Sequence, residues 1–423
     1  MRHVRLRRLR SRDVATAHVF AIFMAIVTVS AGFSARPQSA ATRRPVDIKP
    51  IVSPAAPDSG QPQLTVSDRG VLLSWIERSG TRATLKFAER TGAGWSEPQT
   101  VMSGDDLLVN WADVPSVLRL ADGTLAAHWL QTRGAPTAGY DVRLSYSTDN
   151  GKTWSASFMP HHDGTTAEHG FASLFQMPGG GLGLIWLDGR AKKGEHGQAV
   201  GDMSVRFASF NRDWKQTAEM PVDLRVCECC PTTAAVTEEG PIAAFRDRSP
   251  DEVRDIAVTR LENGKWSEPV AVHTDNWRIN GCPVNGPALS ARGRALAIAW
   301  FTAKNDQPQA YVAFSNDAGR TFGEAIRLDD QATLGRVDIE LLPDGSAAVL
   351  DIERADTGAQ LRVRRVEGSG AKSEAMLVAR IDSSGPTSGH PRLAFHDNEL
   401  VFAWIERENE KTFRVRTAIA PLR

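Results

Sequence analysis

A basic residue recurs about every 55 residues along this chain, each time three or four positions after an aromatic or apolar anchor. Planar guanidinium groups hold a carboxylate through two parallel hydrogen bonds, so unpaired members of this set would suit an acidic ligand. Acidic residues stand beside most of them, and ion pairs between neighbouring repeats are the alternative interpretation. The set comprises Arg78, Arg133, Arg190, Arg248, Lys304, Arg354 and Arg407.

The segment 246–255 has the densest alternation of acidic and basic residues in the sequence. It contains Arg246 and Asp247, and Arg248 and Arg254 flank a loop within it. A surface loop without a task would not need alternating charges at both strand ends. We therefore predict that this loop lies at the mouth of a cavity and that some of its charged side chains contact a ligand.

All four cysteines precede predicted strands, in the segments 227–231 and 280–285. Cys230-Pro231 and Cys282-Pro283 occupy equivalent positions in neighbouring repeats, so we expect Cys227, Cys229, Cys230 and Cys282 to converge. In an exported protein two disulfides are one interpretation, with three possible pairings. The other is a soft-metal site of thiolates with His169 or His390; the Cys-x-Cys-Cys spacing is not that of a zinc ribbon, and copper suits these ligands better than zinc.

The elements that must position these residues are short strands. The apolar pattern has period 2 nearly throughout, and each repeat has a short strand, the anchor strand, an alternating strand, a turn and an outer strand. Four antiparallel strands per repeat predict an all-β propeller, with seven blades favoured and six as the alternative. The basic residues and the cysteines would then share one face, at the ends of the second strands and the starts of the next first strands. The anchors stand at positions 75, 129, 186, 245, 300, 351 and 404.

One turn motif occurs twice, at 147–154 and 315–322, with the pattern Ser-x-Asp-x-Gly-x-Thr-aromatic. The aspartate can accept backbone hydrogen bonds, the glycine permits a positive φ, and the aromatic ring enters the core. On these residues the chain resembles the Asp-box (BNR-repeat) proteins of the sialidase superfamily, across roughly 60–420. The structural residues that carry the resemblance are Ser147, Asp149, Gly151, Trp154, Ser315, Asp317, Gly319 and Phe322.

The resemblance implies a β-propeller, for which it would favour six blades, and a glycosidase chemistry. Sialidases use three arginines on the substrate carboxylate, an aspartate as acid/base and a tyrosine nucleophile activated by a glutamate. The early Arg-Ile-Pro motif of the family is absent here, and the cysteine loops resemble those of uncharacterised bacterial exported sialidase-like proteins. The implied site residues are Arg190, Arg248 and Arg254 or Arg407 as the clamp, Asp113 or Asp247 as the acid and Tyr140 as the nucleophile, with Arg246 and Asn285 as further substrate contacts.

The first 33 residues read as a signal peptide, with a signal anchor as the alternative. Six arginines and one aspartate among the first 13 residues precede an apolar run from Val14 to Phe33. Residues 34–60 form a linker and a strand near 46–52 that closes the ring, and 61–423 form the propeller. The protein is therefore predicted to be periplasmic or secreted.

Three functions fit the sequence: a sialidase-like glycoside hydrolase acting on an acidic sugar, a propeller that binds glycan or protein without chemistry, and a cysteine- or metal-dependent envelope protein. The whole chain has 50 basic and 50 acidic residues, and nothing in their distribution indicates nucleic acid binding. We expect a monomer with a glycan partner and no membrane contact beyond the N-terminal segment. No cofactor is required by the hydrolase interpretation; copper or zinc belongs to the cysteine interpretation alone.

Overall fold

The structure is a computed structural model that describes residues 47–92, 94–134, 139–193, 200–382 and 385–422. Within these residues the regular secondary structure is almost entirely strand, as the period-2 pattern predicts, with two single-turn 3-10 segments at Lys304–Asp306 and Pro386–Ser388. No helix among them is long and apolar enough to cross a membrane. The N-terminal signal segment predicted from the sequence lies outside the described residues.

The strands form seven antiparallel sheets. The closing strand is β1 (Lys49–Ile51), and blade 1 contains β2 (Ser59–Ser67), β3 (Gly70–Ser79), β4 (Arg82–Thr91), β5 (Gly94–Trp95) and β6 (Gln99–Gly104). Blade 2 contains β7 (Ser116–Arg119), β8 (Leu125–Thr132) and β9 (Tyr140–Ser147); blade 3 contains β10 (His169–Gln176), β11 (Leu182–Asp188), β12 (Met203–Phe210) and β13 (Gln216–Val226). Blade 4 contains β14 (Thr233–Thr237), β15 (Gly240–Arg246), β16 (Ile256–Glu262), β17 (Lys265–Trp266) and β18 (Val270–Ala271). Blade 5 contains β19 (Ala288–Arg292), β20 (Ala295–Thr302), β21 (Gln309–Ser315) and β22 (Ile326–Arg327); blade 6 contains β23 (Thr333–Leu341), β24 (Ala347–Arg354), β25 (Ala359–Val366) and β26 (Met376–Ile381). Blade 7 contains β27 (Arg392–His396), β28 (Glu399–Arg407) and β29 (Phe413–Pro421).

The blades are arranged in a ring, which confirms the seven-bladed propeller. The first strands of successive blades are neighbours, and β27 of the last blade returns to β2 of the first. In blade 2 the outer strand is reduced to one bridge between Leu144 and Phe158. The ring closes where β1 pairs with β29, with Lys49 opposite Ile419, so the predicted closing strand is confirmed for the described part of its range.

The anchors all lie in second strands, and their side chains fill the space between blades. Trp75, Trp186 and Trp300 are fully buried. Burying an aromatic ring contributes up to about 3 kcal/mol, but the indole N–H then needs a partner. The Nε1 of Trp186 donates to Asp188 Oδ2 at 2.8 Å, which fixes a carboxylate at the end of the anchor strand. Core packing therefore places charge on the face where the second strands end.

The repeated turns at 147–154 and 315–322 lie at the opposite end of their blades. In the first, Thr153 donates to Asp149 from both its backbone N–H and its hydroxyl, and Ser147 donates to the same carboxylate at 2.8 Å. Gly151 has φ +87°, and a Cβ there would meet the Phe87 ring. The second turn repeats these bonds through Asp317 and Thr321. These turns are structural devices remote from the face that carries the predicted site.

Candidate functional site

Two arginines of the basic set are held by carboxylates at blades 2 and 3. Arg133 makes two bonds to Asp141, one of them 2.6 Å from Nε to Oδ2. Arg190 binds both oxygens of Asp188 at 2.8 Å and Glu219 at 2.9 Å. These guanidinium groups are engaged within the protein, and Arg190 as it stands has no free edge of the kind a substrate clamp needs.

A stacked histidine pair lies among the same carboxylates. The rings of His161 and His169 are 3.8 Å apart between centroids, and His169 Nε2 is 3.0 Å from Asp163 Oδ2. Burial, helped by the charge of His169, lowers the pKa of His161 to about 4, so this imidazole is neutral at pH 7. The spacing would suit a metal ion, but Asp141 and Asp188 already bind guanidinium groups. The arrangement is an ion-pair network between blades, and it is where the structure places His169.

The charged loop 246–255 is also internally paired. Arg248 and Arg254 both bind Glu252, at 2.6 and 2.8 Å. Arg246 is buried, lies 4.9 Å from the Trp277 ring centroid, and donates to the carbonyls of Asn285, Phe301 and Arg254.

Three further predicted residues are near this loop or elsewhere on the rim. Asp247 accepts a bond from the backbone N–H of Arg248 at 2.7 Å, and burial raises its pKa to about 6. Asn285 Oδ1 accepts from the backbone N–H of Arg336 at 2.7 Å. Arg407 lies 5.1 Å from the Phe413 ring centroid at the surface. The structure thus brings Asn285 to the mouth of the central cavity, whereas the side chain of Arg407 packs on its own blade.

Sequence reasoning missed a set of bulged residues near the starts of three first strands. Gln61, Phe171 and Arg336 have φ of 55°, 53° and 54°, and each follows a glycine at a register shift in a first strand. A non-glycine residue with positive φ is costly, and bulges that re-aim a side chain are concentrated at functional sites. The sequence does carry one sign of these bulges: a glycine precedes the bulged residue near the start of the first strand in blades 1, 3 and 6.

Arg336 is a buried cation with no carboxylate partner among the described residues. Its side chain is 9% exposed, Nη1 donates to the carbonyls of Gly385 and Gly389 at 3.0 and 3.3 Å, and the guanidinium is 4.9 Å from the Trp111 ring centroid. Trp111 in turn stacks on His390 at 5.6 Å. Burial lowers the pKa of Arg336 to about 10, which leaves it charged at pH 7.

Asp113 and Tyr140 approach each other over Gly170. The Asp113 side chain is 2% exposed, and Oδ2 accepts from the N–H of the bulged Phe171 at 2.6 Å. A Cβ on Gly170 would lie 2.2 Å from this oxygen and 2.9 Å from the Tyr140 ring, so only glycine permits the approach. Burial raises the pKa of Asp113 to about 7. Such a carboxyl group can both give and take a proton at neutral pH.

Tyr140 keeps its phenol proton in the resting protein. Burial, and after it the charges of Asp113, Glu168 and Cys229, raise its pKa well above the ordinary value. A nucleophilic phenolate therefore requires a carboxylate that takes the proton, and Glu168 is the neighbour that the sequence analysis did not name.

The first strands enclose a central cavity of about 410 Å³. Asp113 lines it, and deeper in the ring it is lined by Asp338, Glu340 and Arg392. Burial, followed by the charge of Asp338, raises the pKa of Glu340 to about 8. The described lining therefore carries more acidic than basic side chains. Of the recurring basic residues, Arg133, Arg190 and Arg248 form ion pairs.

The four cysteines converge, and all are free thiols. The Sγ atoms of Cys227 and Cys230 are 3.5 Å apart, and those of Cys227, Cys229 and Cys230 all lie within 4.8 Å of one another. Cys282 lies close enough to Cys229 for the two thiols to shift each other's pKa. In the described residues His169 belongs to the carboxylate network and His390 stacks on Trp111, so the thiol cluster contains sulfur only.

No protein-family model matches this chain, and no curated protein matches it in sequence. Solved structures do match. The polysaccharide lyase Uly1 superposes with a TM-score of 0.54 at 13% identity, covering 86% of this chain and 90% of that one. A protein of unknown function from Dyadobacter fermentans gives 0.51 at 14% identity, covering 90% and 99%. A mutant of NanB sialidase from Streptococcus pneumoniae gives 0.47 at 9% identity, covering 88% and 94%.

These similarities concern the fold. The chain is a β-propeller, and the superposition on the polysaccharide lyase Uly1 agrees with that fold. At such identities the likeness carries no substrate and no catalytic residue to this chain.

Proposed function

We propose that this protein is an exported glycoside hydrolase that acts on an acidic sugar, in the manner of a sialidase, at the mouth of the central cavity. The observation that carries the proposal is Arg336, a charged and nearly buried guanidinium without a carboxylate partner in the described residues. Burying an unpaired charge is costly, so a site that retains one is organised to receive an anion. A sugar carboxylate is such an anion.

The geometry suits a carboxylate on the free side of this guanidinium. Nη1 is occupied by the carbonyls of Gly385 and Gly389, and no other hydrogen bond of the guanidinium is formed with the described residues. Nε and Nη2 form one edge of the group and can bind two carboxylate oxygens together. The Trp111 ring holds the guanidinium from one side, so the cation is fixed before the ligand arrives.

Asp113 supplies the proton transfer. With a pKa near 7, the carboxyl group can protonate the leaving glycosidic oxygen and then accept a proton from the attacking water. Tyr140 is the nucleophile in this proposal, and it passes its proton to Glu168 as it attacks the anomeric carbon. Asp113 and Tyr140 belong to segments that meet at Gly170, and this proximity supports their action on one sugar.

The test is turnover of a fluorogenic sialoside and of a panel of uronic-acid and neutral glycosides. We expect turnover of an acidic glycoside, and we expect Asp113→Asn to lower kcat by about 10²- to 10⁴-fold, which is the usual contribution of a general acid. Arg336→Gln should raise KM for the acidic substrate by about 10- to 100-fold and leave any neutral substrate unchanged, since a charge-assisted bond contributes roughly 1.5–3 kcal/mol. Arg407→Gln is the matched arginine control and should behave as wild type.

Two outcomes would count against the proposal. Turnover that survives both Asp113→Asn and Arg336→Gln would place the chemistry elsewhere in the protein. Saturable binding of an acidic glycan that is lost in Arg336→Gln, without turnover of any glycoside, would identify a glycan-binding propeller instead of an enzyme. Export is tested separately, by fractionating cells that produce the full chain and finding it in the periplasm or the medium.

A further inference from the structure

We propose that the thiols of Cys227, Cys229 and Cys230 bind one Cu(I) ion, with Cys282 covering the site on its solvent side. This site is distinct from the sugar site and does not depend on it. Cys227 and Cys230 are buried, Cys229 is half-buried, and Cys282 is exposed. An ion can therefore arrive at the surface through Cys282 and Cys229 and end among sulfur atoms shielded from water.

The sulfur positions fit a common centre. A metal–sulfur bond of about 2.3 Å places three ligand sulfurs about 4 Å apart when the ion lies between them. The three Sγ atoms here are all within 4.8 Å of one another, and the shortest of these separations is 3.5 Å. The Cys229 thiol approaches those of all the other three cysteines. Two disulfides would separate the four sulfurs into two pairs, whereas this arrangement converges on one point.

The charge around the cluster also fits bound thiolates. Three thiolates and one Cu(I) carry a net charge of −2, which would be costly in a buried site without nearby cations. Arg254 Nη1 lies 3.3 Å from Cys227 Sγ, and Arg254 is held there by Glu252 at 2.8 Å. The buried guanidinium of Arg246, whose donors bind carbonyls on the same side of the ring, adds a second positive charge.

Ligand type and number favour Cu(I) over zinc. A site made only of sulfur selects soft ions. Structural zinc sites are tetrahedral and take four ligands. Cys227 and Cys230 have the Cys-x2-Cys spacing of such sites, but the fourth sulfur would have to come from Cys282, which is exposed. Cu(I) is satisfied by three thiolates, so it does not require Cys282. Binding releases the three thiol protons to solvent, and because the metal arrives as Cu(I), no electron is transferred.

The experiment is an anaerobic titration of the reduced full chain with Cu(I), in competition with bathocuproine disulfonate, followed by X-ray absorption at the copper edge. We expect one ion per chain with a sulfur-only first shell. Cys229→Ser should lower the affinity by more than about 100-fold. Arg254→Gln should lower it by about 10- to 100-fold, as do changes to groups that surround metal ligands.

The control variants separate copper from its competitors. Arg82→Gln is the matched arginine control, since Arg82 pairs with Asp105 at the exposed surface of blade 1, and should leave the affinity unchanged. Cys282→Ser should cost less than about 10-fold for Cu(I), but a tetrahedral zinc site would lose a ligand and at least about 100-fold. Circular dichroism of each variant shows whether it folds, and a rise in Tm of the wild-type protein on adding Cu(I) reports binding independently of the variants.

Two results would overturn the proposal. One is a protein that forms two quantitative disulfides in air, seen by mass spectrometry after alkylation, and takes up no Cu(I) after reduction. The other is stoichiometric zinc that Cu(I) does not displace.

Discussion

Arg190 and Arg336 lie on the same face of the propeller and have opposite surroundings. Arg190 binds Asp188 through two bonds of 2.8 Å and reaches Glu219 as well. Arg336 is more deeply buried, yet its hydrogen bonds go to two backbone carbonyls and its ring contact to Trp111. The first guanidinium is neutralised by the protein. The second guanidinium has no acidic partner among the described residues, so its charge is available to a ligand.

The difference shows why a recurring arginine is a poor guide to a ligand site on a propeller. Three arginines that follow anchors, Arg133, Arg190 and Arg248, bind carboxylates, whereas Arg407 packs on the Phe413 ring. The cation that stays unpaired lies at a bulge, where the backbone of β23 turns a side chain into the cavity mouth. Partner composition, rather than charge, distinguishes the two roles.

The largest effect is expected from breaking the ion pair of Arg190. Asp188→Ala removes a fully buried carboxylate that binds Arg190 and the indole of Trp186. Trp186 Nε1 and Arg190 Nε lose their acceptor, while Arg190 Nη2 keeps Glu219. We expect the free energy of unfolding in urea to fall by about 3–5 kcal/mol. The control is Asp105→Ala, which breaks the exposed pair with Arg82 and should cost less than about 1 kcal/mol. Equal losses in the two variants would show that the buried network has no special weight.

The next largest effect is expected from Asp113, in the pH dependence of stability. Because the pKa of Asp113 is raised to about 7 in the folded protein, the native state holds this proton between about pH 4 and 7 while the unfolded chain has lost it. Asp113 therefore lowers the free energy of unfolding as pH rises through this window. The wild type should lose up to about 4 kcal/mol relative to Asp113→Asn between pH 4 and 8. Parallel curves for the two proteins would contradict a raised pKa.

A smaller loss of stability is expected from adding a side chain at Gly170. In Gly170→Ala the new Cβ would meet Asp113 Oδ2 and the Tyr140 ring, and overpacking of this kind costs about 1–3 kcal/mol. Glycosidase activity should fall with it, because the two side chains can no longer meet. Gly94→Ala is the control, since nothing lies within 4 Å of its Cβ position. A Gly170→Ala protein with wild-type stability would mean that the two side chains move apart easily.

The smallest effect should come from the far end of the molecule, which serves as the baseline. Although burial opposes it, hydrogen bonds from Thr321 and Ser315 lower the pKa of Asp317 to about 2. Its contribution to stability is therefore present above pH 4 and lost as pH falls from about 4 to 2. Asp317→Asn should lower Tm by no more than about 2–4 °C at pH 7, with unchanged activity. A larger shift, or lost activity, would mean that this turn is coupled to the mouth.

The architecture was accessible from the sequence because blade formation depends on local pattern. The anchors at Trp75, Trp186 and Trp300 recur at the spacing of one blade, and the strands around them alternate. The two Ser-x-Asp-x-Gly turns are equally local, since each bond joins residues at most four positions apart. The convergence of the cysteines followed from the same repeat, because equivalent positions in adjacent blades must be neighbours.

The pairing of the arginines was accessible only in part. Arg133, Arg190 and Arg248 bind carboxylates at most eight positions away, but which guanidinium stays unpaired depends on contacts between distant segments. Arg190 also binds Glu219, which lies on another strand of the same blade. The contacts of Arg336 depend on a bulge whose backbone N–H is bound by Asn285 of another blade. Glu168 escaped notice for the same reason: only the tertiary structure places it beside Tyr140. Tyr140 and Asp113 could be named from the sequence as candidates, but their meeting over Gly170 could not.

The seam in blade 7 has a consequence for how the molecule is made. Ile51 and Thr417, which bond across the seam, are separated by 366 residues of chain. During synthesis β1 emerges early and waits without a partner until β29 has been added, so blade 7 is the last to be completed. A chain that stops short of β29 would expose an unpaired sheet edge. Such an edge can pair with another chain, so the unfinished product would be prone to aggregation.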